Sequence, residues 1–131
     1  VFPFDPARIY YDRDQLTYFD RVSGSTVPSD IWLAHEYGHA VQLALRLQVR
    51  HTELQADCLA GFYLGARVCA GTARQTDILA TFQTFCFAGG PPGSTWFNPG
   101  VHGSCPERVS AVQRGLNGYL GGLSPGASCP L

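Results

Sequence analysis

Lysine is missing from this chain, and its nine basic residues are arginines scattered from Arg8 to Arg114 with no run among them. That spacing excludes the clustered positive charge of a nucleic-acid footprint and of a polybasic membrane patch. No apolar stretch reaches the ~20 residues that span a bilayer. The longest candidate, Ile31 to Leu45, is interrupted by His35, Glu36, His39 and Gln42. Cys58, Cys69, Cys86, Cys105 and Cys129 form no C-x-x-C pair, which argues against a cysteine zinc knuckle, and no C-x-x-C-H for haem occurs. The glycine-rich stretches lack the strand-turn-helix setting of a phosphate loop, and no internal repeat is visible.

What is present suits one domain over residues 1–131. Hydrophobic residues make up 45% and charged ones 15%, with a net charge of -1, so a packed core is within reach and wholesale disorder is excluded. Five cysteines in so short a chain point to disulfides in an oxidising, extracytoplasmic compartment, secreted or cell-envelope, with one thiol left over. A start at Val1, with neither Met nor a signal peptide, suggests a mature or trimmed form.

The expected fold class is α+β and mostly helical, an N-terminal β-hairpin followed by a zincin-type helical core. Arg8–Tyr11 and Leu16–Phe19 are rich in aromatic and β-branched residues, and Asp12-Arg13-Asp14 offers a turn between them. Pro28-Ser29-Asp30 starts a helix in which Ile31, Ala34, Tyr37/Gly38, Val41 and Leu45 recur at helical spacing into the mid-forties. A second helix runs from about Thr52 to Cys69, closed by Gly71. A third takes Arg74 to about Phe85 with Ile78, Leu79, Phe82 and Phe85 on one face, and a Gly/Pro loop follows. Ser104-Cys105-Pro106-Glu107 has the form of a capping box that opens a last helix through Val109, Val112 and Leu116, before a Gly/Pro/Ser tail. Antiparallel packing of the second and third helices would bring Cys86 level with Cys58, leaving Cys105–Cys129 as a loop closure and Cys69 free.

The decisive segment is His35-Glu36-Tyr37-Gly38-His39, an H-E-x-x-H on a predicted helix. Residues i and i+4 share a face about 5–6 Å apart, so two imidazoles can converge on one ion. The intervening Glu lies about 100° round the helix, beside the coordination sphere and outside it. A carboxylate so placed can take the proton of a metal-bound water as it attacks a carbonyl. Fourteen residues after His39 comes Glu53, in Glu53-Leu54-Gln55-Ala56-Asp57, whose carboxylates again share a face. Alone, that pair reads equally as a solvated first-turn acid and a surface acid. Beside H-E-x-x-H, Glu53 reads as a third ligand that leaves one position for water, and Asp57 as the acceptor of a ligand histidine's free N–H.

His35-Glu36-Tyr37-Gly38-His39-Ala40-Val41-Gln42 and Glu53-Leu54-Gln55-Ala56-Asp57-Cys58-Leu59-Ala60-Gly61 resemble the bacterial neutral zinc metallopeptidase family. His102-Gly103-Ser104-Cys105-Pro106-Glu107-Arg108-Val109 is similar to that family's last motif, T-H-G-x-x-x-x-R-V, with Val101 in place of the Thr. The resemblance covers about residues 31 to 131. The segment between His39 and Glu53 is shorter than is usual in the family. The resemblance implies a gluzincin-like peptidase with one Zn2+ per chain on His35, His39 and Glu53, Glu36 as base, and Asp57 behind a ligand histidine. It also raises His102 from a capping or surface residue to a catalytic candidate that could steady an oxyanion.

His51, two residues before Glu53, reads as a surface residue, and Trp32 and Tyr37 as core. Arg108 either pairs with a core carboxylate or orients the last motif. Two functions compete. One is a zinc peptidase acting on a peptide or protein substrate. The other is a catalytically inactive zinc-binding structural subunit of a cell-envelope assembly, with a protein partner there. Four closed ligands mark a structural site, three plus water a catalytic one, and a structural site has no need of Glu36.

Overall fold

Asp12 opens the first helix: its Oδ1 accepts from the backbone N–H groups of Asp14 and Gln15, at 2.9 and 3.1 Å. This satisfies donors that the first helical turn leaves without partners. Helix α1 spans Arg13–Ser23 and ends at Gly24, whose left-handed φ of 67° suits a residue without a Cβ. Leu16 and Phe19, three residues apart, both turn to the core. The expected β-hairpin is therefore corrected: Asp12-Arg13-Asp14 is a helix cap and first turn, and Leu16–Phe19 is helical. In this computed structural model, which describes residues 8–47, 52–87 and 103–130, no strand occurs among the described residues. The class is all-helical in place of α+β.

Helix α2, Val27–Ala44, carries Pro28 in its first turn, where a missing N–H costs nothing. Ser29 Oγ donates to Asp20 Oδ1 at 2.6 Å and ties α2 to α1. Helix α3 is Thr52–Cys69, α4 is Gln75–Cys86, α5 is Cys105–Leu120 and α6 is the single turn Pro125–Ser128. Asp77 caps α4 by accepting from the Arg74 N–H at 2.8 Å. The Ser104 capping box at α5 forms as its sequence predicts, with Ser104 N–H donating to Glu107 Oε1 at 3.0 Å.

Phe19, Ile31, Trp32, Leu64, Phe85, Val112 and Leu116 form the main core, drawn from α1 to α5. Helices α3 and α5 press together because their contact is lined with glycine. A Cβ on Gly61 would run into the Val112 carbonyl, and one on Gly115 into that of Cys58. This approach sets Arg108 of α5 against α3 beneath the site. The buried face of α2 carries Ile31, Trp32, His35, Gly38 and Gln42. Tyr37, expected in the core, is exposed, as are Val41 and Leu45, and Leu79 of α4 is exposed too.

Two disulfides close the structure, Cys58–Cys129 and Cys86–Cys105, and Cys69 is free and exposed. The free thiol is the expected one, but the partners are exchanged. Helix α6 folds back onto α3, so that Cys129 reaches Cys58, and Cys86 at the end of α4 meets Cys105 at the start of α5. No helix among the described residues is long and apolar enough to cross a membrane.

Candidate metal centre

Helix α2 presents His35 and His39 one turn apart toward α3, which answers with Glu53 in its first turn and Asp57 a turn later. The close seat of Gly38 against Ala56 permits this, since a Cβ on Gly38 would meet Ala56 Cα at 3.0 Å. The Nε2 atoms of His35 and His39 stand 3.1 Å apart, and Glu53 Oε2 lies 3.0 Å from the first and 3.1 Å from the second. These donors form the one cluster of metal-ligating side chains found among the described residues.

Each histidine has its other ring nitrogen engaged. His35 Nδ1 donates to Asp57 Oδ1 at 2.7 Å, and His39 Nδ1 donates to Gln42 Oε1 at 2.9 Å. In the neutral rings the Nε2 lone pairs therefore face each other and the carboxylate. Two imidazole nitrogens and a carboxylate oxygen converging on one point suit a transition-metal cation, whose charge would relieve the crowding of three acceptors.

Asp57 has no exposed surface, yet both its oxygens are satisfied. Arg108 Nε donates to Oδ2 and Nη2 to Oδ1, each at 2.7 Å, the paired geometry that guanidinium and carboxylate planes favour. The guanidinium lies 5.3 Å above the Trp32 ring and 5.6 Å from that of Phe85, which seal it from water. Trp32 also stacks on His35, with ring centroids 5.4 Å apart and planes 13° from parallel. Of the two roles open to Arg108, pairing with a core carboxylate is the one it takes.

These groups perturb each other strongly. Burial works to lower the His35 pKa, but the bonds to Asp57 and Glu53 outweigh it and raise the value to about 9. His39 follows the same pattern: burial lowers its pKa, the Glu53 bond counters that, and the net shift is upward. Burial pushes Glu53 the other way, toward the neutral acid, yet hydrogen bonds from both rings hold its carboxyl well below the usual carboxylate range.

The expected residues His35, His39, Glu53 and Asp57 are thus brought together. Glu36 is half-buried on α2 and stands outside the trio of ligand-forming side chains. His102 and His51 lie outside the described residues. Sequence reasoning gave no role to Gln42, although its place three residues after His39 on one helix is a signal for contact. Gln55, inside the second motif, carries no comparable signal. On another face of α2, a groove of about 710 Å³ is lined by Leu33, Tyr37, Val41, Leu59, Phe62 and Tyr63, away from both histidines.

No family model matches the sequence, and comparison with curated proteins and with solved structures finds no match.

Proposed function

We propose that this chain is a zinc-dependent peptidase that works outside the cytoplasm, holding one Zn2+ on His35, His39 and Glu53. The observation that carries the reading is the set of three protein donors, mutually within 3.1 Å, with a further carboxylate on the next residue of the same helix. Two nitrogens and one oxygen are a donor set that zinc accepts in hydrolytic sites, and three protein ligands leave a coordination position for water. Zinc in such a site acts as a Lewis acid and lowers the pKa of bound water to about 7.

The chain's own residues supply the rest. Asp57 and Gln42 hold the two imidazoles by their Nδ1 atoms, so that Nε2 of each would face a bound ion. Arg108 balances the charge of Asp57 inside the core. Glu36, set about 100° round α2 from His35, is the general base that takes a proton from the attacking water. The H-E-Y-G-H-A-V-Q and E-L-Q-A-D-C resemblance supports the same assignment, and the two disulfides support the compartment.

The test is cleavage of a broad peptide library by the zinc-loaded chain, with and without a chelator. Cleavage that stops on chelation and returns with zinc is the expected result. A fully loaded chain that cleaves nothing would point instead to zinc as a structural clamp.

A further inference from the structure

The two glutamines of the motifs, Gln42 and Gln55, take no part in ligation or proton transfer, yet each is only 7% exposed, with both its amide oxygen and its amide nitrogen hydrogen-bonded. A side-chain amide can face either way, so its orientation must be read from partners whose roles are fixed. Two such partners are present, both backbone carbonyls, which can only accept. Gln55 Nε2 donates to the Cys129 carbonyl at 3.3 Å, which turns Gln55 Oε1 toward Gln42. Gln42 Nε2 then donates to that oxygen at 3.1 Å and to the Thr52 carbonyl at 2.8 Å, using both its N–H groups. Gln42 Oε1 is left to face His39 Nδ1 at 2.9 Å, and an amide oxygen can only accept. His39 Nδ1 must therefore carry a proton, so that when the ring holds only one proton Nε2 is the nitrogen left free for a metal.

We infer that Gln42 and Gln55 are positioning residues for the metal centre, an amide relay that fixes the tautomer of His39 from two backbone carbonyls. The remote end of the relay is the carbonyl of Cys129, whose side chain is bonded to Cys58 one residue after Asp57. The C-terminal turn thus reaches the ligand set without touching it. The relay is graded. Gln42 contacts the ring itself, and the Thr52 carbonyl still orients Gln42 when Gln55 is removed.

The relay rests on the metal-centre reading, and one experiment separates the two. The chain carrying ¹⁵N-labelled histidine is loaded with ¹¹³Cd²⁺, and metal–nitrogen couplings identify which ring nitrogen of His39 is bound, while zinc affinity is measured by competition. Wild type should show coupling to His39 Nε2 with a proton on Nδ1. Gln42→Met, similar in volume, removes the acceptor and should lose this single pattern along with about 10–100-fold in affinity. Gln42→Glu keeps an acceptor for Nδ1–H while losing both donors, so it should keep Nε2 coordination; a purely structural glutamine would be harmed equally by both changes. Gln55→Leu should cost less affinity than Gln42→Met. An unchanged spectrum and affinity in Gln42→Met, or loss of Nε2 coordination in a folded Gln42→Glu, overturns the relay while leaving the metal centre standing. A wild-type chain that takes up no cadmium overturns the metal centre and the relay with it.

Discussion

Arg108 grips Asp57 through both carboxylate oxygens, Nε to Oδ2 and Nη2 to Oδ1, each at 2.7 Å. Both side chains are sealed from solvent, Asp57 fully and Arg108 with 2% exposure, so neither charge has water to fall back on. Removing one partner of such a pair costs about 3–5 kcal/mol, chiefly because the other is left buried and alone. Arg108→Met should lower the stability of the metal-free chain by about that amount, and Arg108→Lys by less, since it keeps the charge and loses the fork. Urea unfolding of the three chains decides it. Equal midpoints would show that Asp57 does not depend on Arg108.

The ligand assignment has a direct consequence for stoichiometry. Wild type should hold one zinc per chain. His39→Ala removes one of three donors, and Glu53→Ala another, so each should lose most of its metal on dialysis. Elemental analysis with protein quantitation gives the ratio. Undiminished zinc in His39→Ala would rule out the site.

Much of this site is legible in the chain because it is built from helical periodicity alone. His35 with His39, and Glu53 with Asp57, are spaced by one turn, and facing helices bring such pairs together. The features that are not legible depend on which face turns inward. Helix α2 is apolar nearly all round, so Tyr37 and Ile31 look equally suited to the core, yet once His35 faces α3, Tyr37 stands about 200° away from it on the helix. In α1 the aromatic content favours a strand, while the Asp12 cap and the inward pair Leu16 and Phe19 settle a helix. The disulfide partners turn on tertiary position, since only the return of α6 onto α3 brings Cys129 to Cys58. Gln55 is tied to a carbonyl 74 residues away, a contact that no local pattern can announce.

Protons compete with metal for this site. The metal-free His35 pKa is raised from 6.5 to about 9, so the charged ring stabilises the fold fully below 6.5, and that contribution fades as pH climbs toward 9. The metal-free chain should therefore lose stability across this window. The loss reads as a fall in Tm. Zinc affinity should rise over the same range as the ring gives up its proton. Melting curves of chelated and zinc-loaded protein from pH 6 to 9 test both. A metal-free Tm that rises with pH would contradict the assignment of the raised pKa.

The disulfides predict a thiol count and a stability difference. Without reduction, only Cys69 should react with an alkylating reagent, giving a mass increase of one adduct. The Cys58–Cys129 bond spans 71 residues, and closure of a loop that long removes about 4 kcal/mol worth of unfolded-state entropy. Reduction should therefore lower the unfolding midpoint sharply. Five adducts before reduction would remove both the bonds and the argument for an oxidising compartment.

Glu36 stands outside the ligand trio and Asp57 holds the far nitrogen of His35, so the two should fail in different ways. Glu36→Gln keeps the shape and a hydrogen bond but cannot take a proton, and loss of a general base costs about 10²–10⁴-fold in rate. All three ligands remain, so zinc content should be unchanged. Asp57→Asn leaves an oxygen able to accept from His35 Nδ1 but sets an amide N–H₂ against a buried guanidinium that has lost its counter-charge. It should therefore weaken metal affinity by about 10–100-fold, with activity recovering as zinc is raised. Peptide cleavage and zinc occupancy, measured together on wild type and both variants over a zinc titration, separate the roles. If Glu36→Gln cleaves at the wild-type rate, the base is another group. If Glu36→Gln loses zinc, its carboxylate belongs to the ligand set and the site has no position left open for water.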